Sequence, residues 1–490
     1  MTRLVSQEIR PDDLVGTAGE LLAGGFRVAL IAGHDDGPFG LRAVYLFTAA
    51  AGDRRVELHV RLDRTHPHLP SLAALSFPAG RFEREMHDLY GIVPDNHPLP
   101  QRLVRHFHWP TNWHPMLADA GEPPEFGDQD GPYPFRTVEG PGVYEIPVGP
   151  VHAGLIEPGH FRFSVVGETI LNLKARLWFV HKGLEKLFHG RRPEHGIEIA
   201  ERVSGDTSVG HTLAYCLAVE DAQGIPVPVA HRRTRAILLE LERIYNHVTD
   251  IGAICNDTGH GILNAHAGRI REQLLRLNDT VTGHRLLRGA IHPGGATVQQ
   301  SPDVAVLRAI GADVAEVVDL ALGHSVVRDR LAGTAVLTGQ QAADLGALGY
   351  VARASGLAVD ARRDHPVAGL EFRPATHTQT GGDVLARFTV RAEEISASID
   401  YIGQLLDEQP PDLDRADRPA RSGVGIVEGW RGTIVHRVEL DEEGTLTRVK
   451  IVDPSFFNWP ALPVALTDTI VPDFPLTNKS FNLSYAGNDL

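Results

Sequence analysis

Hydrophobic positions change their period along the chain, and the changes divide it. Residues 26–60 alternate in three short runs, Phe26 to Ile31, Ala43 to Phe47 and Arg55 to Val60, broken by Gly and Asp. A period of two between turn residues predicts strands, here a small antiparallel sheet. The stretch Arg81 to Tyr90 carries a helical pattern instead, with Gly91 where a helix would stop. Sheet and helix together predict a small N-terminal α+β domain over 1–115. The chain then turns rich in Pro and Gly and poor in apolar periodicity, which predicts a linker over 116–143.

Alternation returns in 161–166 and 170–173 around Gly167-Glu168, a hairpin pattern. Beyond it the period becomes 3.6. Leu238, Leu241, Ile244, Tyr245, Val248 and Ile251 fall on one helical face, and similar patterns cover 176–188, 207–220, 262–287, 303–325, 340–353 and 383–406. A last hairpin is predicted from 432–440 and 447–452, joined by Asp441-Glu442-Glu443-Gly444. The predicted fold class is therefore α+β, with a mostly helical second domain, 144–490, bearing β-hairpins at both ends.

Composition narrows the chemistry. The 490 residues are 42% hydrophobic and 22% charged, a folded-protein profile long enough for a sizeable core. Sixty-two acidic against 47 basic residues give a net charge of −15, and the one dense cationic run, 231–235, leads into a helical pattern, so a nucleic-acid partner is not expected. Two cysteines, Cys216 and Cys255, cannot build a disulfide framework, and they sit in helical patterns as small buried residues. A reducing cytoplasm is the expected setting. With no uninterrupted apolar run near the ~20 residues that cross a bilayer, membrane contact is expected through partners.

Familiar catalytic motifs are missing. Gly423-Val424-Gly425-Ile426-Val427-Glu428-Gly429 imitates a dinucleotide loop, but its third glycine falls one place late and no strand-turn-helix context follows. The histidine-rich stretch His106-Phe107-His108, with His97 and His114, reads as packing or interface, since nothing in it gives convergent ligands.

A longer set of motifs carries a resemblance. Glu83-Arg84-Glu85, Asp88-Leu89-Tyr90-Gly91 and His97-Pro98 resemble the 30-kDa subunit of respiratory complex I. Val148 to Gly154, Glu157-Pro158-Gly159-His160, His181-Lys182-Gly183-Leu184-Glu185-Lys186, Leu241-Glu242-Arg243, Glu428-Gly429-Trp430-Arg431 and Asp453-Pro454-Ser455 resemble its 49-kDa subunit. They resemble more closely the large subunit of energy-converting NiFe hydrogenases of the formate hydrogenlyase type.

The resemblance implies a NiFe-hydrogenase-like large-subunit domain in which four cysteines hold the metals. The matching positions here are Ser204, Thr207, Ser455 and Asn458. Hydroxyls and an amide do not supply the soft thiolates a Ni–Fe pair requires, so no cofactor is expected in this chain. An iron–sulfur cluster is expected in a partner, and a quinone is the expected acceptor.

For the quinone, the resemblance points to His152 or His160 on the hairpin loop, with Glu157 beside them as proton carrier. The family's quinone-binding tyrosine falls at Pro193, which leaves Glu194 and His195 as substitutes. His181, Lys182, Glu185 and Lys186, on a predicted helix, are expected to face the partner's cluster. Arg202 and Arg431 complete the cofactor-facing set, with Glu428 or Asp453 as the carboxylate that Arg431 now holds.

The implied protein is a core component of a membrane-bound, complex I-like or hydrogenlyase-like oxidoreductase, active only within an assembly of several subunits and peripheral on the cytoplasmic side of the membrane. Its implied partners are a small iron–sulfur protein, a ferredoxin-like subunit and antiporter-like membrane subunits. Residual hydrogen or formate chemistry, and a non-catalytic scaffold, are the rival readings.

Overall fold

The computed structural model describes residues 3–50, 52–127, 130–154, 156–367, 372, 374–408 and 420–490. The N-terminal sheet has four strands in the order Arg3–Ile9, Arg54–Leu62, Leu41–Ala49, Arg27–Asp35. The last three pair antiparallel as the alternation predicts, but Arg3–Ile9 lies parallel to Arg54–Leu62. This strand and the helix Leu14–Ala23 escape the sequence pattern. The strand is an exposed edge, with both Leu4 and Val5 open to solvent, so no buried face imposes an alternation.

Helix Phe77–Tyr90 lies against strand Arg27–Asp35, and Gly91 ends it in a left-handed conformation, φ 72°, its N–H on the carbonyl of His87. Contact is close because Gly33 has no side chain; a Cβ there would stand 2.6 Å from the Tyr90 ring. From 96 to 142 the described residues form no helix or strand. The segment is nevertheless fastened. Asp88 Oδ2 accepts the amides of Leu103, Val104 and Arg105, and Arg84 donates to the carbonyl of Gln101.

Next comes a three-stranded antiparallel sheet, Val143–Val148, His160–Val166 and Thr169–Arg176. The helical body follows: Ser208–Gln223, Val229–Asp257, Gly261–Thr282, Val304–Gly323 and Val384–Asp407. It ends in a second antiparallel sheet, Ser422–Gly429, Gly432–Leu440 and Leu446–Val452. Two helical patterns shorten. Over 176–188 only Leu184–Phe188 is α-helical, because Trp178 (φ 68°) and Gly183 (φ 67°) turn the chain the other way. Over 340–353 the helix splits into Gly339–Asp344 and Gly349–Ala354, with Gly346 between them and Gly349 at the start of the second both at positive φ.

The glycines of the false dinucleotide motif have a packing role. Helix Ser208–Gln223 rests directly on strand Ser422–Gly429, and a Cβ on Gly425 would meet the carbonyl of Ala214 at 1.9 Å. The N-terminal unit and the large unit share one interior. Phe82 packs on Phe456 with ring centres 4.4 Å apart. Ion pairs Arg437–Glu57 (2.8 Å), Lys450–Glu85 (2.7 Å) and Arg42–Glu439 (2.9 Å) cross the seam. No helix among the described residues is long and apolar enough to cross a membrane.

Candidate active site

Three segments and the chain's last residues form the site. Ser204 to Thr207 lead into helix Ser208–Gln223, Arg431 sits in the turn between strands Ser422–Gly429 and Gly432–Leu440, and Ser455 and Asn458 stand one turn apart on helix Pro454–Asn458. Asp453 caps that last helix, accepting the amide of Ser455 at 2.7 Å.

Three of the four positions that the resemblance matches to metal ligands join one hydrogen-bond network. Ser204 donates to Asp206 Oδ1 at 2.9 Å and shares a 2.8 Å hydrogen bond with the hydroxyl of Ser484, whose amide donates to Ser455 Oγ at 3.0 Å. Thr207 also donates to Asp206 Oδ1, at 3.0 Å. Asn458 turns to the backbone of Leu348, accepting from its N–H at 2.9 Å and donating to its carbonyl at 3.1 Å. Donors and acceptors are thus engaged with one another, and none is a thiolate. The donor set at these positions does not fit a Ni–Fe pair.

Arg431 holds the network. Its two terminal nitrogens each donate to an oxygen of Asp206 at 2.7 Å, its Nε donates to the carbonyl of Asn482 at 2.6 Å, and its guanidinium lies 3.9 Å from the centre of the Trp430 ring. This two-point pairing suits a planar guanidinium. Burial raises the Asp206 carboxyl, but the charge and hydrogen bonds of Arg431 outweigh it and bring it down to about 2. The expected partners Glu428 and Asp453 are therefore replaced by Asp206. Glu428 is taken by Arg353 (2.8 Å) and Thr433 (2.9 Å), and Asp453 by His211 (3.0 Å).

Behind this network runs a buried line of imidazoles. His211 donates from Nε2 to Asp453 and accepts at Nδ1 from His436 at 3.0 Å, while His436 Nδ1 is buried without a partner. Burial pushes His436 well below the usual histidine range, so it is neutral. Cys216 and Cys255 are buried in their helices, and burial raises both thiols, Cys255 to about 11. Both remain protonated near neutral pH.

The loop candidates divide. His152 donates to the carbonyl of Gly159 at 2.8 Å, and His160 contacts the carbonyl of Gly149 at 3.3 Å through Nδ1 while its Nε2 has no partner. Glu157 reaches the chain's last residues, accepting the amide of Ala486 at 2.9 Å. Lys182 is exposed, with its Nζ 3.4 Å from the carbonyl of Val203, next to Ser204. Burial lowers its ammonium below the usual lysine range against the opposite pull of Glu157 and Asp489. Glu157 and Lys182 therefore border the Ser204 network. Glu194 and His195 do not join them: both are exposed on the turn Pro193–Gly196, and among the described residues neither bonds to the loop. Arg202 is also exposed, its guanidinium turned back to the carbonyl of Glu198 at 2.8 Å.

His181 donates from Nδ1 to the carbonyl of Asp489 at 2.7 Å and, with Lys182, Lys186, Trp109 and Trp113, lines a cavity of about 350 Å³. His181 and Lys182 precede the helix instead of lying on it, so Lys182 and Lys186 do not share a helical face. Lys186 points to the carbonyl of Leu117. Glu185 lines the same cavity. It is buried against Arg448 (2.7 Å) and Lys450 (3.1 Å), and although burial raises it, those charges hold it at about 2. Asp206, Ser484 and the two tryptophans are the site residues that the sequence reading missed. Asp206 lies between Ser204 and Thr207, two positions that the resemblance matches to ligands, the one signal that could have found it.

Both parts of the chain are similar to known proteins. The family described as respiratory-chain NADH dehydrogenase, 30 Kd subunit, matches residues 7–124, and the 49 Kd subunit family matches 257–422. Formate hydrogenlyase subunit 5 of Escherichia coli (strain K12) is 31% identical over 457 residues, 89% of this chain and 79% of the relative. Hydrogenase-4 component G of the same strain is 32% identical over 466 residues, 92% of this chain and 81% of the relative. The fused C/D component of an NADH-quinone oxidoreductase of Phocaeicola vulgatus is 30% identical over 408 residues, 78% of this chain and 78% of the relative. A chain of the membrane-bound sulfane sulfur reductase, an archaeal respiratory membrane complex, superposes with a TM-score of 0.63 at 24% identity, covering 71% of this chain and 99% of its own, which shows a shared fold. The protein is thus a member of the family of oxidoreductase subunits that joins complex I 30-kDa-type and 49-kDa-type domains in one chain and includes formate hydrogenlyase subunit 5 and hydrogenase-4 component G.

Proposed function

We propose that this subunit works without a NiFe centre and directs electrons from an iron–sulfur cluster in a partner subunit to an acceptor, a quinone, bound beside the Ser204 network. The observation that carries the reading is the Arg431–Asp206 pair, two 2.7 Å hydrogen bonds beside Ser204 and Thr207, two of the positions that the resemblance matches to metal-holding cysteines. The pair makes the hollow electrically self-contained. Reactivity then comes from outside the chain, which supplies positioning and protons.

Glu157 and Lys182 are the groups best placed to hand a proton to a reduced acceptor, since both border the network and one can hold the proton the other releases. His152 and His160 fix the loop that carries Glu157. In this reading the complex is attached to a membrane through other subunits, with a small iron–sulfur protein against the His181 cavity and ferredoxin-like and antiporter-like subunits beyond it.

The test uses the intact complex. Metal analysis is expected to find iron but no stoichiometric nickel, and Glu157→Gln is expected to slow quinone reduction about a hundredfold, within the usual range for a lost proton donor, with cluster content unchanged. Stoichiometric nickel restores the hydrogen or formate reading. Unchanged turnover in Glu157→Gln, and in a variant lacking His152, His160 and His195 together, identifies a scaffold.

A further inference from the structure

A second cavity, about 270 Å³, opens between helix Phe77–Tyr90, the end of strand Thr169–Arg176 and Trp459, and three arginines line it: Arg81, Arg84 and Arg176. Two of them have clear structural work. Arg84 donates to the carbonyls of Gln101 and Arg102, and Arg176 donates to that of Arg105 at 2.8 Å, so both fasten the segment after the helix.

Arg81 differs. It is only 8% exposed, yet among the described residues its one hydrogen bond runs from Nη2 to the amide oxygen of Asn488 at 3.2 Å, and its guanidinium lies over the rings of Phe456 and Trp178. Among the described residues no carboxylate lies within ion-pair distance of any of the three guanidinium groups.

The neighbouring acids are committed elsewhere. Glu85 pairs with Lys450 at 2.7 Å, Asp88 accepts three backbone amides, and Asp489 accepts the amide of Val180. Asp130 is shared by Arg102 and Arg105. Glu83 is hydrogen-bonded to Ser71 and Leu72, and burial raises its carboxyl to about 7. Guanidinium keeps its charge under almost all conditions, and a buried charge without a counter-charge is costly. The same strain shows in Arg81, which burial and the charge of Arg84 pull down to about 9. A wall with this surplus of positive charge attracts an anion. Apolar side chains supply much of the remaining lining, among them Trp459, Leu99, Pro463 and Trp178, the last lying against Arg81 and Arg176.

We propose that this cavity binds an amphiphilic anion, an oxyanion head carried on a short apolar body, with Arg81 as its anchor and Trp178 and Trp459 against its chain. At ~30 Å³ for each water-sized group, the volume suits roughly nine such groups, the size of a medium-chain carboxylic acid. The site is separate from the Ser204 network and needs no redox step.

The experiment titrates the purified complex with octanoate, following tryptophan emission and the thermal midpoint. A saturable change is expected, at least tenfold weaker in Arg81→Gln and unaltered in Arg269→Gln, whose guanidinium sits on the exposed Asp313. Inorganic phosphate, which has a head and no chain, is expected to bind at least tenfold more weakly than octanoate. Arg81→Lys keeps the charge, guards against a folding defect in the first variant, and is expected to weaken binding by losing the planar fork. The proposal is overturned if octanoate gives no saturable change, if both Arg81 variants bind it as the parent protein does, or if phosphate binds as tightly.

Discussion

Asp206 makes the site a matter of single residues. A carboxylate 225 positions away from Arg431 in sequence meets it with two 2.7 Å bonds, accepts both nearby hydroxyls, and is 40% exposed while its partner is almost wholly buried. Replacing it with asparagine leaves a buried guanidinium short of acceptors, a loss of about 1–3 kcal/mol. Asp206→Asn is therefore expected to lower stability by that amount in chemical denaturation, and Asp206→Glu by less; a stability equal to the parent's would mean the pair does not hold the hollow. The convergence of Ser204, Thr207 and Ser455 was legible because motifs fix their order along the chain. The partner of Arg431 was not, since Glu428 and Asp453 are nearer in sequence and only folding shows them already occupied by Arg353 and His211. Glu194 and His195 stood out for lying next to an aligned position, and local adjacency says nothing about which way a turn faces.

At the scale of elements, close backbone contact decides more than composition. Helix Ser208–Gln223 approaches strand Ser422–Gly429 so nearly that Gly425 has no room for a methyl group, the added Cβ falling 1.9 Å from a backbone oxygen that cannot rotate away. Gly425→Ala is expected to cost about 1–3 kcal/mol or more, as overpacking does, and to move Thr207 with the helix; thermal unfolding of the variant measures it, and an unchanged midpoint would show the two elements are free to part. The long helices and both hairpins were readable because a single period ran through each. The reading over 176–188 failed since its apolar spacing was helical while Trp178 and Gly183 took left-handed backbone, a choice made by tertiary contacts. Strand Arg3–Ile9 left no trace because an exposed edge need not alternate.

Over the whole molecule, the N-terminal and large units are joined by buried charge as well as by apolar surface. Burial raises the Glu57 carboxyl, but Arg437 and His59 outweigh it and hold it at about 2, and Glu439 is likewise held well below its ordinary range. A carboxyl depressed on folding stabilises in full above its unfolded value near 4.5, and that contribution is lost as pH falls toward 2. The seam is accordingly expected to weaken across that acid window. Glu57→Gln is expected to cost about 3 kcal/mol at neutral pH, the low end for a broken buried pair because Arg437 keeps Glu439 at 2.7 Å, and to flatten the acid dependence; urea titrations at several pH values decide it. The two-part organisation was visible in the change of period, but the seam was not, because no local pattern announces that a charge on one unit will meet its opposite on another.

The chain's last residues carry one further meaning. Ser484 is hydrogen-bonded to Ser204, Ala486 donates to Glu157, Asn488 receives Arg81, and the backbone of 489–490 accepts from His181, Lys182 and Gly183. Such a segment cannot settle until the helix entry, the hairpin loop and the N-terminal helix have all arrived. It works as a final stitch, so protection of its amides from exchange with solvent would date the moment when the separate pieces became one body.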